Sequence, residues 1–546
     1  MKTIGFLLII GWAATAFITK PVPTASYDIV VYGATSAGIA AAIQCARMDK
    51  SVLLIEPTQH IGGLTTGGLG QTDIGNKQAI GGIAREFYRK IREYYEDSAH
   101  WKWQKRSAYI DGGQTRTEEG EDAMWTFEPS AALAVYQDML AAENIELVYG
   151  KRLNRSEGIV KKGATIVQIE MEDEATYQGQ IFIDATYEGD LMAAAGVDYI
   201  VGREANDRYG ETYNGVQLLD GHQFPDGVDH YRTPGDPNSG LLWGISTGEL
   251  STPGSGDTLV QAYNFRICLT DDEENRLPIT EPDNYDPAKY ELLARLFEAQ
   301  PNMREINQYF IWSRMPNDKT DINNRGGFST DMINGSHAYP EASYEERAAI
   351  VKVHEDYTKG LLYFYATDPR VPEVLQQEVS RWGYPRDEYK DNGNWSPQLY
   401  VREARRMIGD YVMTQANCVG EEEVDDPVGL AAYTMDSHNC QRLVVDGQVK
   451  NEGNVEVGGF PPYPISYRSI TPKPDEVTNL LVPVCLSASH IAFGSIRMEP
   501  VFMVLGQSAA TAASIALDDK VAVQEVSYPK LQKALRKDQQ ILQHQP

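Results

Sequence analysis

The stretch from Tyr27 to Glu56 constrains this chain most, because it reads as strand, glycine turn, helix and strand in immediate succession. Asp28-Ile29-Val30-Val31-Tyr32 is a short apolar run rich in β-branched residues, as a buried parallel strand should be. Gly33-Ala34-Thr35-Ser36-Ala37-Gly38 follows at once, and Ile39 to Arg47 is mostly small helix formers. Gly33 permits the tight turn out of the strand, and Gly38 lets the helix lie close to the sheet. The helix start at Ser36 and Ala37 turns free N–H groups and a partial positive charge toward a pyrophosphate. Ser51 to Ile55 is a second strand, and Glu56, 23 residues beyond Gly33, stands where a carboxylate accepts hydrogen bonds from an adenosine ribose. Thr35 departs from the usual pattern, taking the place of the middle glycine of G-x-G-x-x-G. The unit as a whole predicts a dinucleotide site.

Three later stretches extend this reading. Gln59 to Gly70 carries Gly62-Gly63 and Gly67-Gly68, so backbone here runs close to something flat or charged. His60 is considered as a covalent attachment point and set aside for an ordinary histidine. Gln180 to Asp190 is an apolar strand ending in Asp184-Ala185-Thr186, then a turn through Tyr187 and Gly189 into a helix that Asp190 caps. Asn479 to Ala513 reads as a strand over Leu480 to Cys485, a polar loop over Ser489 to Glu499, and a long apolar helix opened by Pro500 and Val501. Gly506-Gln507-Ser508-Ala509-Ala510 half-matches a hydrolase elbow, but it lacks the final glycine and lies inside that helix, which excludes a serine nucleophile.

The 546 residues divide into residues 1–25, an export signal and short linker; 26–200, the first part of the nucleotide-binding domain; 201–453, a substrate or cap domain; and 454–546, the returning part with a terminal helix. The signal reading rests on Lys2, the apolar run Ile4 to Phe17 and the small residues Ala14-Thr15-Ala16, and predicts a periplasmic or secreted protein, or alternatively one anchored by its N-terminus. No later stretch reads as a membrane span. The middle region is rich in Tyr, Asn, Asp, Pro and Gly, and its segment Arg402-Glu403-Ala404-Arg405-Arg406 offers guanidinium groups to a ligand. A net charge of −28 argues against nucleic acid or an anionic membrane surface as partner. The five cysteines show no zinc spacing, no metal site is expected, and Cys418 with Cys440 is the pair to test for a disulfide.

Taken together, these segments resemble the bacterial family of FAD-dependent oxidoreductases of the glutathione-reductase-like class. The resemblance rests on Val31 to Gly38, Leu54-Ile55-Glu56 with Gly62-Gly63, Asp184 to Asp190, and Ser489-His490 through Ala509. It implies an α/β fold: a Rossmann-like FAD-binding domain with an inserted α+β substrate domain. FAD would be held by Gly33, Thr35, Ser36, Ala37, Gly38, Glu56, Gly62, Gly63, Thr186, Gly189, Asp190, Glu499 and Val501. The expected chemistry is hydride transfer from a small polar substrate, a sugar or sugar acid being the class in view, to flavin N5. His490 would be the general base, and Arg497 would stabilise negative charge. No second dinucleotide fingerprint follows, so electrons would pass to a separate acceptor, which is unknown. Some family members carry a xanthan lyase label, which nothing in these residues supports. Two alternatives stay open: a flavin-bound lyase or isomerase without net redox change, and an inactive glycan-binding protein on the same fold.

Overall fold

A computed structural model describes residues 26–544. The expected export signal lies outside the described residues. The first unit forms as read: β1 (Ser26–Tyr32), α1 (Ser36–Arg47) and β2 (Val52–Ile55). An amphipathic helix, α2 (Gly82–Glu96), follows, then α3 (Pro129–Ala142), which has proline in its first turn as the Phe127-Glu128-Pro129 pattern predicts. The chain continues through β3 (Glu146–Val148), the antiparallel pair β4 (Ile159–Lys162) and β5 (Thr165–Glu170), then β6 (Thr176–Asp184) and the short α4 (Asp190–Ala194). In the resulting sheet β3, β2, β1 and β6 run parallel. The far side of β6 is shared: its first half takes β5 antiparallel.

The middle of the chain builds a second core, drawn from Phe224 to Val449 and heavy in aromatics. Its elements include α5 (Glu291–Ala299), the hairpin β7 (Phe310–Met315) and β8 (Lys319–Asn324), and the long α6 (Tyr344–Thr367), which starts with a Ser343–Glu346 capping box. Much of the tyrosine content is structural. Tyr290 donates to Tyr357 O at 2.9 Å and Tyr357 donates to Ser329 O at 2.6 Å, each ring filling apolar space while its hydroxyl finds a carbonyl.

The chain then returns through β9 (Met435–Ser437), paired with β10 (Val455–Val457), and β11 (Leu480–Leu481), which runs parallel to the second half of β6. The Ser489–Glu499 stretch, expected as a loop, instead contains a helix, α7 (His490–Ile496), because Ser489 Oγ accepts from Ala492 N–H and caps it. The apolar α8 (Glu499–Asp519) follows, and α9 (Tyr528–Lys537) closes the described chain. By length and a mean hydropathy of 1.5, α8 is apolar enough to cross a membrane, contrary to expectation, yet 94% of that window is buried as the central helix of the first core. It lies directly on α1: a Cβ built on Gly506 would stand 2.1 Å from Ala37 O. All five cysteines are free and buried, so Cys418 and Cys440 are not joined.

Candidate active site

The glycine turn after β1 has a physical reason for its threonine. Gly33 sits at φ +98°, and a Cβ on Gly38 would meet Gly33 O at 1.8 Å, so both positions require glycine. Thr35 is instead the N-cap of α1: its Oγ1 accepts from Gly38 N–H at 3.4 Å and donates to Ala185 O at 2.7 Å. It ties this turn to the end of β6 and leaves the Ser36 and Ala37 N–H groups without intrahelical acceptors. Glu56 accepts from Ala34 N–H at 2.9 Å, Thr58 N–H at 2.8 Å and Thr58 Oγ1 at 2.7 Å. Burial pushes its carboxyl up to about 7, against the pull of these donors.

Glu499, in the first turn of α8, gathers the remaining strands of this half. Ser36 Oγ donates to it at 2.5 Å, Tyr187 OH at 2.6 Å and Thr65 Oγ1 at 2.9 Å. Burial raises its pKa although all three donors pull it down. Tyr187, in place of a glycine, also accepts from Leu64 N–H at 2.9 Å, so it clamps the segment that starts at Gly62 (φ +91°) and Gly63 (φ +53°). Thr186 Oγ1 donates to Asp184 at 2.7 Å and accepts from Gly189 N–H at 3.0 Å.

Two residues before Glu499, Arg497 turns the other way, toward the middle domain. Its NH1 donates to Tyr400 OH at 2.8 Å and its NH2 to Asp436 O at 2.9 Å and Asp436 Oδ2 at 3.1 Å. Asp436 Oδ2 lies 3.6 Å from His438 Nε2, His438 Nδ1 donates to Asp331 Oδ2 at 2.7 Å, and Arg402 NH2 lies 2.9 Å from Asp331 Oδ1. Arg402 then lies over the Tyr400 ring, 4.6 Å from its centroid, which closes a ring of six groups. Burial works against both carboxylates, yet Arg402 and His438 hold Asp331, and His438, Arg497 and Arg402 hold Asp436, below the usual range. Tyr400 packs on Leu64 and Leu69, so the ring borders the glycine-rich segment. The Nε atoms of Arg402 and Arg497 are buried and have no partner among the described residues.

A model of the family described as FAD dependent oxidoreductase matches residues 28–535, nearly the whole described chain. The chain belongs to this family. Among solved structures, this oxidoreductase is similar to thioredoxin reductase from Streptococcus pyogenes (21% identity over 34% of this chain and 40% of that one, TM-score 0.17). It is also similar to a flavin-containing monooxygenase from Stenotrophomonas maltophilia (14% over 35% and 45%, TM-score 0.19). A third similar structure is 3-ketosteroid-delta4-(5alpha)-dehydrogenase from Rhodococcus jostii (16% over 34% and 50%, TM-score 0.20). The chain thus spans half or less of the length of these structures. No curated protein matches the chain.

FAD is the cofactor of this oxidoreductase, and the first half of the site has the donors for it. Gly33 and Gly38 leave no side chain in the turn, Ser36 and Ala37 offer helix N-terminal N–H groups to phosphate, and Glu56 is a buried carboxylate at the end of β2. Three expected residues sit differently. Asp190 does not cap α4, whose N-cap is Gly189; Arg347, Arg405 and Arg155 surround its carboxylate at 2.6, 2.8 and 3.2 Å. Burial is outweighed there, and the arginines hold the group below its usual range, leaving it committed to the protein. Val501 turns into the core, with its N–H bonded to Met498 O. His490 is 1% exposed, with Nδ1 donating to Glu403 Oε2 at 2.7 Å and Nε2 at 2.9 Å from Ser437 Oγ. Both ring nitrogens are engaged, so the imidazole is a buried strut between α7, β9 and the middle domain rather than a base facing open volume. Burial opposes it, but His490 and Arg406 hold Glu403 down to about 2.

Sequence reasoning missed Tyr400, Asp331, Asp436 and His438. A signal was present: Tyr400 stands two residues before Arg402, and Asp436-Ser437-His438 alternates two ionisable groups onto one face of a strand and its continuation. The acidic trio Glu128, Asp387 and Glu388 is not a metal site in this arrangement, because Lys319 Nζ sits among them at 2.7, 2.9 and 2.6 Å.

Proposed function

We propose that this oxidoreductase is a dehydrogenase or oxidase that takes a hydride from a small polar, hydroxyl-bearing substrate, of the sugar or sugar-acid class. The observation that carries this reading is the closed polar ring around Tyr400, which borders the glycine-rich segment on one side and Arg497 on the other. Bound FAD supplies the two-electron acceptor. The chain's own contribution is electrostatic. Arg497 and Arg402 each carry a permanent charge in a buried setting, where it acts far more strongly on an oxygen that gains negative charge than it would in water. Tyr400 OH accepts from Arg497, so its own hydrogen is free to point at a substrate oxygen. The N-terminal sequence supports export, and the absence of a second fingerprint supports an electron acceptor that is a separate molecule.

The test is the visible absorbance of the purified protein, recorded anaerobically while sugars and sugar acids are added in turn. Bleaching of the flavin bands by one compound is the expected result. A flavin spectrum that no hydroxyl compound bleaches overturns the substrate class and favours the non-redox alternative.

A further inference from the structure

Asp73 follows the glycine-rich segment and is loosely held for a carboxylate in this part of the molecule. Its Oδ2 accepts from Arg266 NH1 at 3.3 Å, its Oδ1 accepts from Gln114 Nε2 at 3.4 Å, and its side chain is 17% exposed. Asp321 takes the stronger contacts of the same arginine, at 2.7 and 2.6 Å, and adds Gln71 N–H at 2.9 Å. Asp73 therefore keeps lone pairs for another donor. Its charge is the foremost influence holding the Tyr433 hydroxyl well above its usual range, ahead of burial, and it also bears on Tyr400 and Arg497, which places it beside the polar ring.

Gln114 connects Asp73 to open volume. Its exposed side chain lines a cleft of about 720 Å³, together with Gly75, Lys77 and Arg85. Gln71 Nε2 donates to Gly112 O at 3.0 Å and pins the Gln114 turn against the stretch after Gly70. Gly75 backs onto the residue before Tyr433, since an added Cβ would stand 2.0 Å from Ala432 O. The cleft thus ends beside the glycine-rich segment and the ring. Its cations are already matched, Lys77 by Glu121 at 2.9 Å and Arg85 by Asp122. The charges left on its lining are Glu118, whose one ion pair among the described residues is Arg116 at 3.6 Å, and Glu119. A cleft of this sign repels anions and offers acceptors to hydroxyl groups.

We propose that this cleft is the substrate's entrance and outer binding site, that it selects a neutral polyhydroxy compound, an uncharged sugar rather than a sugar acid, and that Asp73 accepts one of its hydroxyl groups in place of the Gln114 amide. This rests on the preceding functional reading and narrows its substrate class. Admission needs only the rotation of an exposed glutamine and the exchange of one long hydrogen bond. A sugar hydroxyl then donates to Asp73 at the inner end, while the carboxylates of the outer cleft accept from the hydroxyls that follow.

One test needs no substrate. All five native cysteines are buried, so Gln114→Cys in the FAD-loaded protein offers a bulky maleimide a single accessible thiol. Labelling should slow reduction of the flavin by dithionite at least tenfold relative to the same variant unlabelled, with FAD content unchanged. The same label on Lys533→Cys, on α9, should leave the rate as it was. No slowing at Gln114→Cys, or equal slowing at both positions, overturns the entrance. The second test compares a hexose with its uronic acid in the anaerobic bleaching assay. The hexose should show the higher kcat/KM, and Asp73→Asn should raise its KM about tenfold with kcat and FAD content kept. Preference for the uronic acid, or a wild-type KM in Asp73→Asn, overturns the binding assignment. A panel in which nothing bleaches the flavin counts against the functional reading, and the labelled cleft then decides the entrance on its own.

Discussion

Ser36 Oγ donates to Glu499 Oε2 at 2.5 Å, joining the first turn of α1 to the first turn of α8 across 463 residues. Thr65 and Tyr187 reach the same carboxylate, so the glycine turn, the glycine-rich segment and the turn after β6 all converge on one side chain. Two of the four segments that carry the family resemblance, with the stretch just beyond Gly63, therefore meet at a point the last segment supplies.

Glu499→Ala should release all three donors at once. Each hydroxyl would be left facing the void, at about 1–3 kcal/mol for a buried unsatisfied group. The expected outcome is a protein that retains its fold but loses FAD on gel filtration, with affinity down about 10–100-fold at 1.4 kcal/mol per tenfold. Fluorescence titration with FAD checks it. Affinity equal to wild type would show that the convergence on Glu499 has no part in forming the cradle.

Gly506→Val should fail more severely. The added Cβ would stand 2.1 Å from Ala37 O and 2.9 Å from Ala37 Cα, both backbone, and neither helix has room to retreat within the first core. Overpacking of this kind costs about 3 kcal/mol or more. Because α1 carries the phosphate-facing turn, flavin content and the thermal midpoint should fall together. A variant that keeps full flavin content with an unchanged midpoint would refute the close α1–α8 contact.

Lys319→Met tests the ion cluster that pins the middle domain to the start of α3. Lys319 is fully buried, and Glu128, Asp387 and Glu388 each lie within 2.9 Å of its Nζ. Removing one member of a buried charge cluster leaves the others uncompensated, a loss of about 3–5 kcal/mol. The urea midpoint should drop accordingly. An unchanged midpoint would mean that the carboxylates reorganise or bind protons at no cost.

What was legible in the sequence was local. The strand at Val30, the turn at Gly33 and the helix from Ser36 follow from period and glycine placement within 20 residues. The helix opened by Pro500 announces itself in the same way. The α7 helix was missed because its signal is a single capping serine ahead of the ambiguous Ala492-Phe493-Gly494. The polar ring was missed for another reason. Its members come from Asp331, Tyr400, Arg402, Asp436, His438 and Arg497, and only tertiary pairing brings them together. Arg402 stands out in a segment dense in guanidinium groups and Arg497 in the polar stretch before Pro500, but their partners cannot be read from neighbours in sequence. The two histidines show the limit most clearly, since each is fixed by a carboxylate far away in sequence, Glu403 for His490 and Asp331 for His438.

Glu56 gives the protein a pH dependence of definite sign. Burial lifts its carboxyl from 4.5 to about 7, and burial likewise lifts Asp184 from 3.8 to about 6. The folded state therefore holds protons that the unfolded chain has released, and stability falls as pH rises through the window and levels off above it. Between the two raised values, about 6 to about 7, Glu56 contributes to that slope. Its full contribution is about 3 kcal/mol at 1.36 kcal/mol per unit. In FAD-stripped protein, urea midpoints should fall from pH 5 to pH 7. Glu56→Gln should flatten the upper part of that fall, with a pH-independent offset of about 1–2 kcal/mol because its amide now faces the Thr58 donors. Stability that rises over this range, or a variant with the wild-type slope, would mean that Glu56 is ionised in the folded protein and already prepared to accept ribose hydroxyls as a carboxylate.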